Sequence, residues 1–190
     1  MRERRDRWFA DLAGVRVADL VFLDEFGATT HMMRTRARGP RGERVVCKVP
    51  HGHWSVLSTV AAMTVGGGIV TAATFDAAVD TGAFVAFVEQ CLAPTLRPGQ
   101  VVVMDNLSAH RSPRVTELVE ACGARVAYLP PYSPDFNPIE QAISKVKAAL
   151  RRLGVRTVEG LFDAIGTALR TVTTDDAANY VRHSGYATTV

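Results

Sequence analysis

Three carboxylates stand where phosphoryl chemistry would need them. Asp24 follows the apolar run Val21-Phe22-Leu23, Asp105 follows Val101-Val102-Val103-Met104, and Glu140 follows Asn137-Pro138-Ile139. Both apolar runs read as buried strands, so each aspartate sits near a strand exit, where rigid scaffold meets solvent. Glu140 falls in the first turn of a helix announced by Asn-Pro. If the two strands are neighbours and the helix packs beside them, the three acids converge. Like charges a few ångströms apart repel strongly, so such a cluster requires a cation. Oxygen ligands with no His or Cys nearby suit Mg²⁺ or Mn²⁺ better than zinc. Two such ions about 3.5–4 Å apart clamp the attacking and leaving oxygens of an in-line displacement at phosphorus. Nuclease-type cleavage of a phosphodiester is the chemistry this pattern would perform.

The same residues have structural readings. Asn137-Pro138-Ile139-Glu140 describes a helix start with Asn as N-cap, Pro at the first position and Glu closing a capping box. On pattern alone that role for Glu140 outweighs catalysis. Asp105-Asn106 could begin a turn, and Asp24-Glu25 could be a solvated strand end. Cys47, His51 and His53 lack a fourth metal ligand. The Ser, His and Asp residues lack a nucleophile elbow. Trp8 and Trp54 read as core or interface anchors rather than base-stacking platforms.

The elements around these residues alternate. Strands are expected at 17–26, 44–49, 55–65, 69–74, 101–104 and 125–129, and helices at 80–92, 113–122, 138–153 and 158–172. On the 138–153 helix, Ile139, Ile143, Val146, Leu150 and Leu153 form the core stripe, and Glu140, Ser144, Lys147 and Arg151 line an adjacent one. Antiparallel strands followed by alternating strands and helices predict a mixed α/β sheet covered by helices. We expect an N-terminal extension over 1–16, one domain over 17–172, and a C-terminal tail over 173–190 that could form a helix.

Composition agrees with one ordinary folded domain. The 190 residues are 47% hydrophobic and 22% charged, and three cysteines are too few for a disulfide framework. The charged N-terminus is no secretory signal. Residues 54–75 carry no formal charge, but Gly66-Gly67-Gly68 interrupts them, so two buried strands joined at the glycines are expected rather than a membrane helix, and a cytoplasmic protein. Net charge is only +3. Its placement says more: Arg34, Arg36, Arg38, Arg41, Arg44 and Lys48 crowd one segment, and Lys145, Lys147, Arg151, Arg152 and Arg156 another. Two basic patches flanking an acidic centre suit a polyanion whose phosphate must reach a metal.

The segments VFLDEFGATT, VVVMDNLSAHRS and LPPYSPDFNPIEQAISKVKAALR, in this order, resemble the catalytic domain of DDE-type transposases, nearest the mariner superfamily as found in bacterial insertion sequences. The proline-rich loop running into a basic helix is the most specific match, and the 34 residues between Asp105 and Glu140 are a spacing used there. The resemblance implies a ribonuclease H-like fold, a five-stranded mixed sheet with helices on both faces. It assigns Asp24, Asp105 and Glu140 as the metal-binding triad for two Mg²⁺ or Mn²⁺ ions, with Asn106, His110 and Asn137 in support. It further implies nicking of DNA at element ends and attack of the freed 3′-hydroxyl on target DNA. Arg36, Arg38, Arg41, Lys145, Lys147, Arg151 and Arg152 are the expected DNA contacts. Only 23 residues precede Asp24, fewer than an end-reading helix-turn-helix region needs. The expectation is therefore a catalytic half that grips phosphates with little sequence preference. It would work at the bacterial nucleoid, as a homodimer or with a separate end-recognition polypeptide. The alternatives are a silent DNA-binding or oligomerisation fragment that modulates an intact transposase, and a stand-alone ribonuclease H-type hydrolase.

Overall fold

The computed structural model describes residues 2–46, 48, 52 and 54–186. Its elements, in chain order, are α1 (Arg2–Asp11), β1 (Leu20–Thr29), β2 (Val56–Thr64), β3 (Gly68–Phe75), α2 (Thr81–Phe87), β4 (Val101–Met104), α3 (Pro113–Ala121), β5 (Arg125–Tyr128), α4 (Ile139–Leu153), α5 (Val158–Leu169) and α6 (Thr174–His183). The strands form one sheet in the order β3-β2-β1-β4-β5. β2 runs antiparallel to β1 and β3, while β1, β4 and β5 are parallel. Every residue of β4 is buried, as a parallel strand covered on both faces requires.

Alternation along β1 sends its side chains into two cores. Leu20, Phe22, Phe26 and Ala28 pack with Trp8 and Leu12, with the apolar stripe of α4 (Ile139, Ile143, Val146 and Leu150), and with Leu161, Ile165, Ala177 and Val181 from α5 and α6. Val21 and Leu23 face the other way, against Phe84, Phe87, Val115 and Val119 from α2 and α3. Helices therefore cover both faces, as expected. The uncharged stretch forms two strands joined at the glycines, and among the described residues no helix is long and apolar enough to cross a membrane.

Several expectations change. β1 starts three residues later than 17 and continues to Thr29, because β2 pairs with it as far as Thr29–Val56; Asp24 is thus mid-strand, not at a strand exit. The strand expected at 44–49 does not form over Arg44–Val46 or at Lys48; these residues are exposed and have no neighbouring strand. Cys47, Val49, His51 and His53 lie outside the described residues, and the metal alternative drawn from them lies there too. Leu153 is half-exposed at the end of α4, where Gly154 stops the helix in the left-handed conformation. The N-terminal extension forms α1 and buries Trp8 and Leu12. The C-terminal tail forms α6 and buries Tyr186 in the same core. Trp8 is a core anchor, whereas Trp54 is exposed.

The β2–β3 turn is tight for a reason that can be tested. Gly68 has φ +63°, and a Cβ there would lie 2.9 Å from the carbonyl oxygen of Val172. Gly68→Ala should lose about 1–3 kcal/mol in urea denaturation. Gly66→Ala, where an added Cβ meets nothing within 4 Å, should stay within about 0.5 kcal/mol of the parent.

Candidate active site

The parallel ladder places the first two carboxylates. β1 and β4 pair Leu20 with Val101, Val21 with Val102 and Phe22 with Val103. The same register carried two residues further sets Asp24 level with Asp105, and equal parity puts both on the face that α4 covers. β4 ends at Met104, so Asp105 turns outward and accepts the Leu107 N–H at 3.1 Å. The expected turn is thus present beside the carboxylate. Glu140, in the first turn of α4, completes the set: Asp24, Asp105, Asn106, Asn137 and Glu140 line one cavity of about 480 Å³, walled by the loop from Leu129 to Pro134.

Asn137 joins the helix start to the sheet. Its side chain does not cap α4; Nδ2 instead donates to Asp24 Oδ2 at 3.1 Å and to the Leu23 carbonyl at 3.3 Å. The expected capping box is therefore absent: with Nδ2 turned onto β1, the Asn137 amide oxygen accepts no N–H from the start of α4. Asp24 Oδ1 accepts the backbone N–H of Glu25 at 2.8 Å. Asp24 is 8% exposed. Burial, followed by the charge of Glu140, pushes its carboxyl up to about 7; the Asp105 charge adds to this, and the Glu25 hydrogen bond opposes it.

Asp105 has the opposite balance. Partial burial alone would raise it, but hydrogen bonds from His110 and the Leu107 N–H hold it below the usual carboxylate range. His110 is fully buried, its ring stacked on Phe84 at 4.1 Å and its Nδ1 2.5 Å from Asp105 Oδ1. Tyr128 donates its hydroxyl to the His110 carbonyl. His110 is thus a positioned partner of Asp105.

The donor set fits a hard divalent ion. Three carboxylates and two amide side chains offer oxygen only, and no Lys, Arg or His lines the cavity. Asn106 Oδ1 and Asn137 Oδ1 are buried there without hydrogen-bond partners. Among the described residues, however, no three His, Cys, Asp or Glu side chains close on a single point. Glu140 is exposed at the cavity wall, and mutual repulsion keeps uncompensated carboxylates apart. The acids share a cavity rather than a finished coordination sphere.

The expected DNA-contacting bases lie outside this cavity. Arg36, Arg38 and Arg41 are exposed on the β1–β2 connection, whose base Arg156 holds through the carbonyls of Thr30 and Met32. Lys145 is engaged by Asp176 of α6 at 2.5 Å, and the lysine drives that carboxyl down to about 2. Lys147 lies 6.0 Å from the Phe26 ring. Arg151 is half-buried and Arg152 exposed.

Sequence reasoning missed the residues that hold the loop. Arg5 of α1 forks onto both oxygens of Asp135 (3.0 and 2.6 Å), donates to Ser133 Oγ at 2.8 Å, and lies 4.3 Å over the Phe136 ring. Trp8, one helical turn on, donates to the Tyr186 hydroxyl at 3.0 Å, which donates to the Phe136 carbonyl at 2.7 Å. α1 and the residue Tyr186 after α6 thus clasp the segment that presents Asn137 and Glu140. The spacing of Arg5 and Trp8 on one helical face was the readable sign; nothing local marked Tyr186. Tyr132, 84% exposed at the cavity rim, takes φ +56°, the only positive value among described non-glycine residues.

Sheet order, the parallel β1-β4-β5 core and helices on both faces define a ribonuclease H-like fold with acids gathered on one face. The sequence profile of the DDE superfamily endonucleases matches residues 19–161, and the chain belongs to that family. Among solved structures, the pre-cleavage Mos1 transpososome superposes with a TM-score of 0.73 at 12% identity, over 96% of this chain and 58% of that one. The Mos1 strand transfer complex gives 0.72 at 14% identity, over 96% and 57%. The isolated catalytic domain of Mos1 mariner transposase gives 0.62 at 12%, over 95% and 85%. The chain therefore spans less than two thirds of the transpososome chains, and these likenesses establish the fold. Comparison with curated proteins gives no match.

Two measurements probe the cavity. A carboxyl raised by folding stabilises the fold while protonated, and that stability is lost as pH rises from about 4 through about 7. In EDTA, Tm should fall between pH 5.5 and 8, and millimolar Mg²⁺ should remove most of the fall; a flat profile in EDTA would contradict the burial argument. Asn137→Ala should weaken Mn²⁺ binding about 10–100-fold by calorimetry, and Arg5→Ala should weaken it in the same direction by a smaller factor.

Proposed function

We propose that the protein is a divalent-metal-dependent DNA endonuclease and strand transferase, the catalytic domain of an insertion-sequence transposase. The observation that carries this reading is the meeting of Asp24, Asp105 and Glu140 at one cavity free of cationic side chains, in a chain of the DDE superfamily endonuclease family. The Mos1 structures it resembles include paired-end complexes with Mn and with Mg, which supports the choice of metal and of DNA.

Asp24, Asp105 and Glu140 would hold the ions, which when bound supply an activated oxygen nucleophile and stabilise the leaving oxygen at phosphorus. Asn137 fixes Asp24 and ties α4 to β1, so Glu140 is carried to the cavity on a braced helix. His110 orients Asp105 and keeps it ionised. The Leu129–Pro134 wall narrows access to the three acids, and the exposed Tyr132 ring offers a stacking face for an unpaired base. Hydrolysis joins a water oxygen to phosphorus and releases a 3′-hydroxyl; strand transfer repeats the displacement with that hydroxyl as nucleophile on target DNA. A homodimer, or a separate end-recognition polypeptide, would pair two element ends at the bacterial nucleoid.

The test supplies Mn²⁺ with a supercoiled plasmid or a pre-nicked element end and compares the native chain with Asp105→Ala. Nicking or strand joining is expected from the native chain, with a loss of at least about 10³-fold in the variant. DNA binding without cleavage by either would assign the silent-fragment role instead, and preference for an RNA–DNA hybrid would assign a ribonuclease H-type hydrolase.

A further inference from the structure

A second concavity, of about 510 Å³, lies beside the carboxylate cavity and has the opposite charge. Arg7 of α1, Arg111 after His110, and Arg125 at the start of β5 all line it, with Asp11 as its one acid. All three arginines are exposed, and among the described residues none is paired with a carboxylate. Their neighbours differ: Arg5 is held by Asp135, Arg16 by Asp19, and Arg114 by Glu89 and Glu117. Three guanidiniums against one carboxylate leave the hollow net positive in the free protein, an arrangement that an anion relieves. The Arg111 guanidinium lies 5.8 Å from the ring of Tyr128, which lines the same groove.

The two hollows adjoin across a shared wall. Asn106, Leu129, Pro130 and Pro131 line both. The basic groove runs along β5, the edge strand of the sheet. From Arg125 to Tyr128 the strand covers about 10 Å at ~3.3 Å per residue, long enough to meet more than one phosphate of a backbone laid along it. A chain of phosphates lying in this groove would deliver one phosphate to the acids at its end.

We infer that Arg7, Arg111 and Arg125 form a phosphate-binding track for the DNA strand entering the carboxylate cavity, separate from the basic loop and the basic face of α4. This rests on the endonuclease reading and names the contact that leads substrate to the site. The neutral wall shared by the two cavities separates guanidiniums from carboxylates. Substrate phosphates then meet cationic side chains first and metal-binding acids last.

The experiment measures binding of a labelled short duplex by anisotropy in EDTA, across a salt series, so that no cleavage intervenes. Arg111→Ala/Arg125→Ala should weaken binding about 10-fold near 0.1 M salt and reduce the log K against log[salt] slope by about 2, at ~0.9 for each phosphate no longer neutralised. Arg7→Gln alone should reduce the slope by about 1. Arg114→Ala, which removes a nearby but paired charge, should leave the slope unchanged. A native chain that cleaves DNA while its slope is unmoved by the arginine changes overturns the track alone. An equal loss with Arg114→Ala also overturns it, as does loss of self-association in sedimentation with the slope unmoved, which would make the β5 edge a protein interface. A native chain that binds no duplex at any salt overturns the functional reading itself.

Discussion

The structure depends on keeping a charge-bearing group, Asp24, inside a sheet within the field of two other acids. Even about 6 Å apart, two carboxylates at an effective dielectric of ~20 oppose each other by roughly 3 kcal/mol, a large fraction of a domain's net stability. The fold meets this with two hydrogen bonds to Asp24, from the Glu25 backbone and from Asn137, and leaves the rest as a raised affinity for a proton. Whatever neutralises the cluster, a proton included, also relieves the strand that carries it. Asp105, anchored by His110, is the complementary case, a carboxylate held ionised and fixed in orientation.

Two different constructions bring the acids together. The aspartates are set by strand register, the most rigid relation a sheet offers, since a slip of one residue would turn both to the opposite face. Glu140 is set by a loop and a helix start, which are inherently softer. The molecule compensates with long-range fasteners: Asn137 to β1, Arg5 to Asp135 and Ser133, and the Trp8–Tyr186–Phe136 relay. Two of the acids are thus placed rigidly by the sheet and the third by a braced helix start.

Much of this was legible in the sequence. The apolar runs before Asp24 and Asp105 marked buried strands, the triple glycine marked a tight turn, and the periodic stripe of α4 marked its buried face. The proline-rich loop identified the family. What escaped were relations between distant residues. Asn137 looked like an N-cap because its local signature is that of one; only the packed sheet shows that β1 claims its amide. The Val45-Val46 run had strand composition but no neighbouring strand to pair with. Lys145 counted as a free base until α6 brought Asp176 against it. Charge patches read along the chain likewise overlooked Arg7, Arg111 and Arg125, which are far apart in sequence and adjacent only around β5.

The relay from Trp8 through Tyr186 to Phe136 spans 178 residues between its first two members. During synthesis the strands, the three acids and α4 all emerge before the tyrosine does. The loop bearing Asn137 and Glu140 therefore lacks its last fastener until residue 186 clears the ribosome. Nascent chains would carry all three acids yet hold Glu140 less firmly until translation has passed this point.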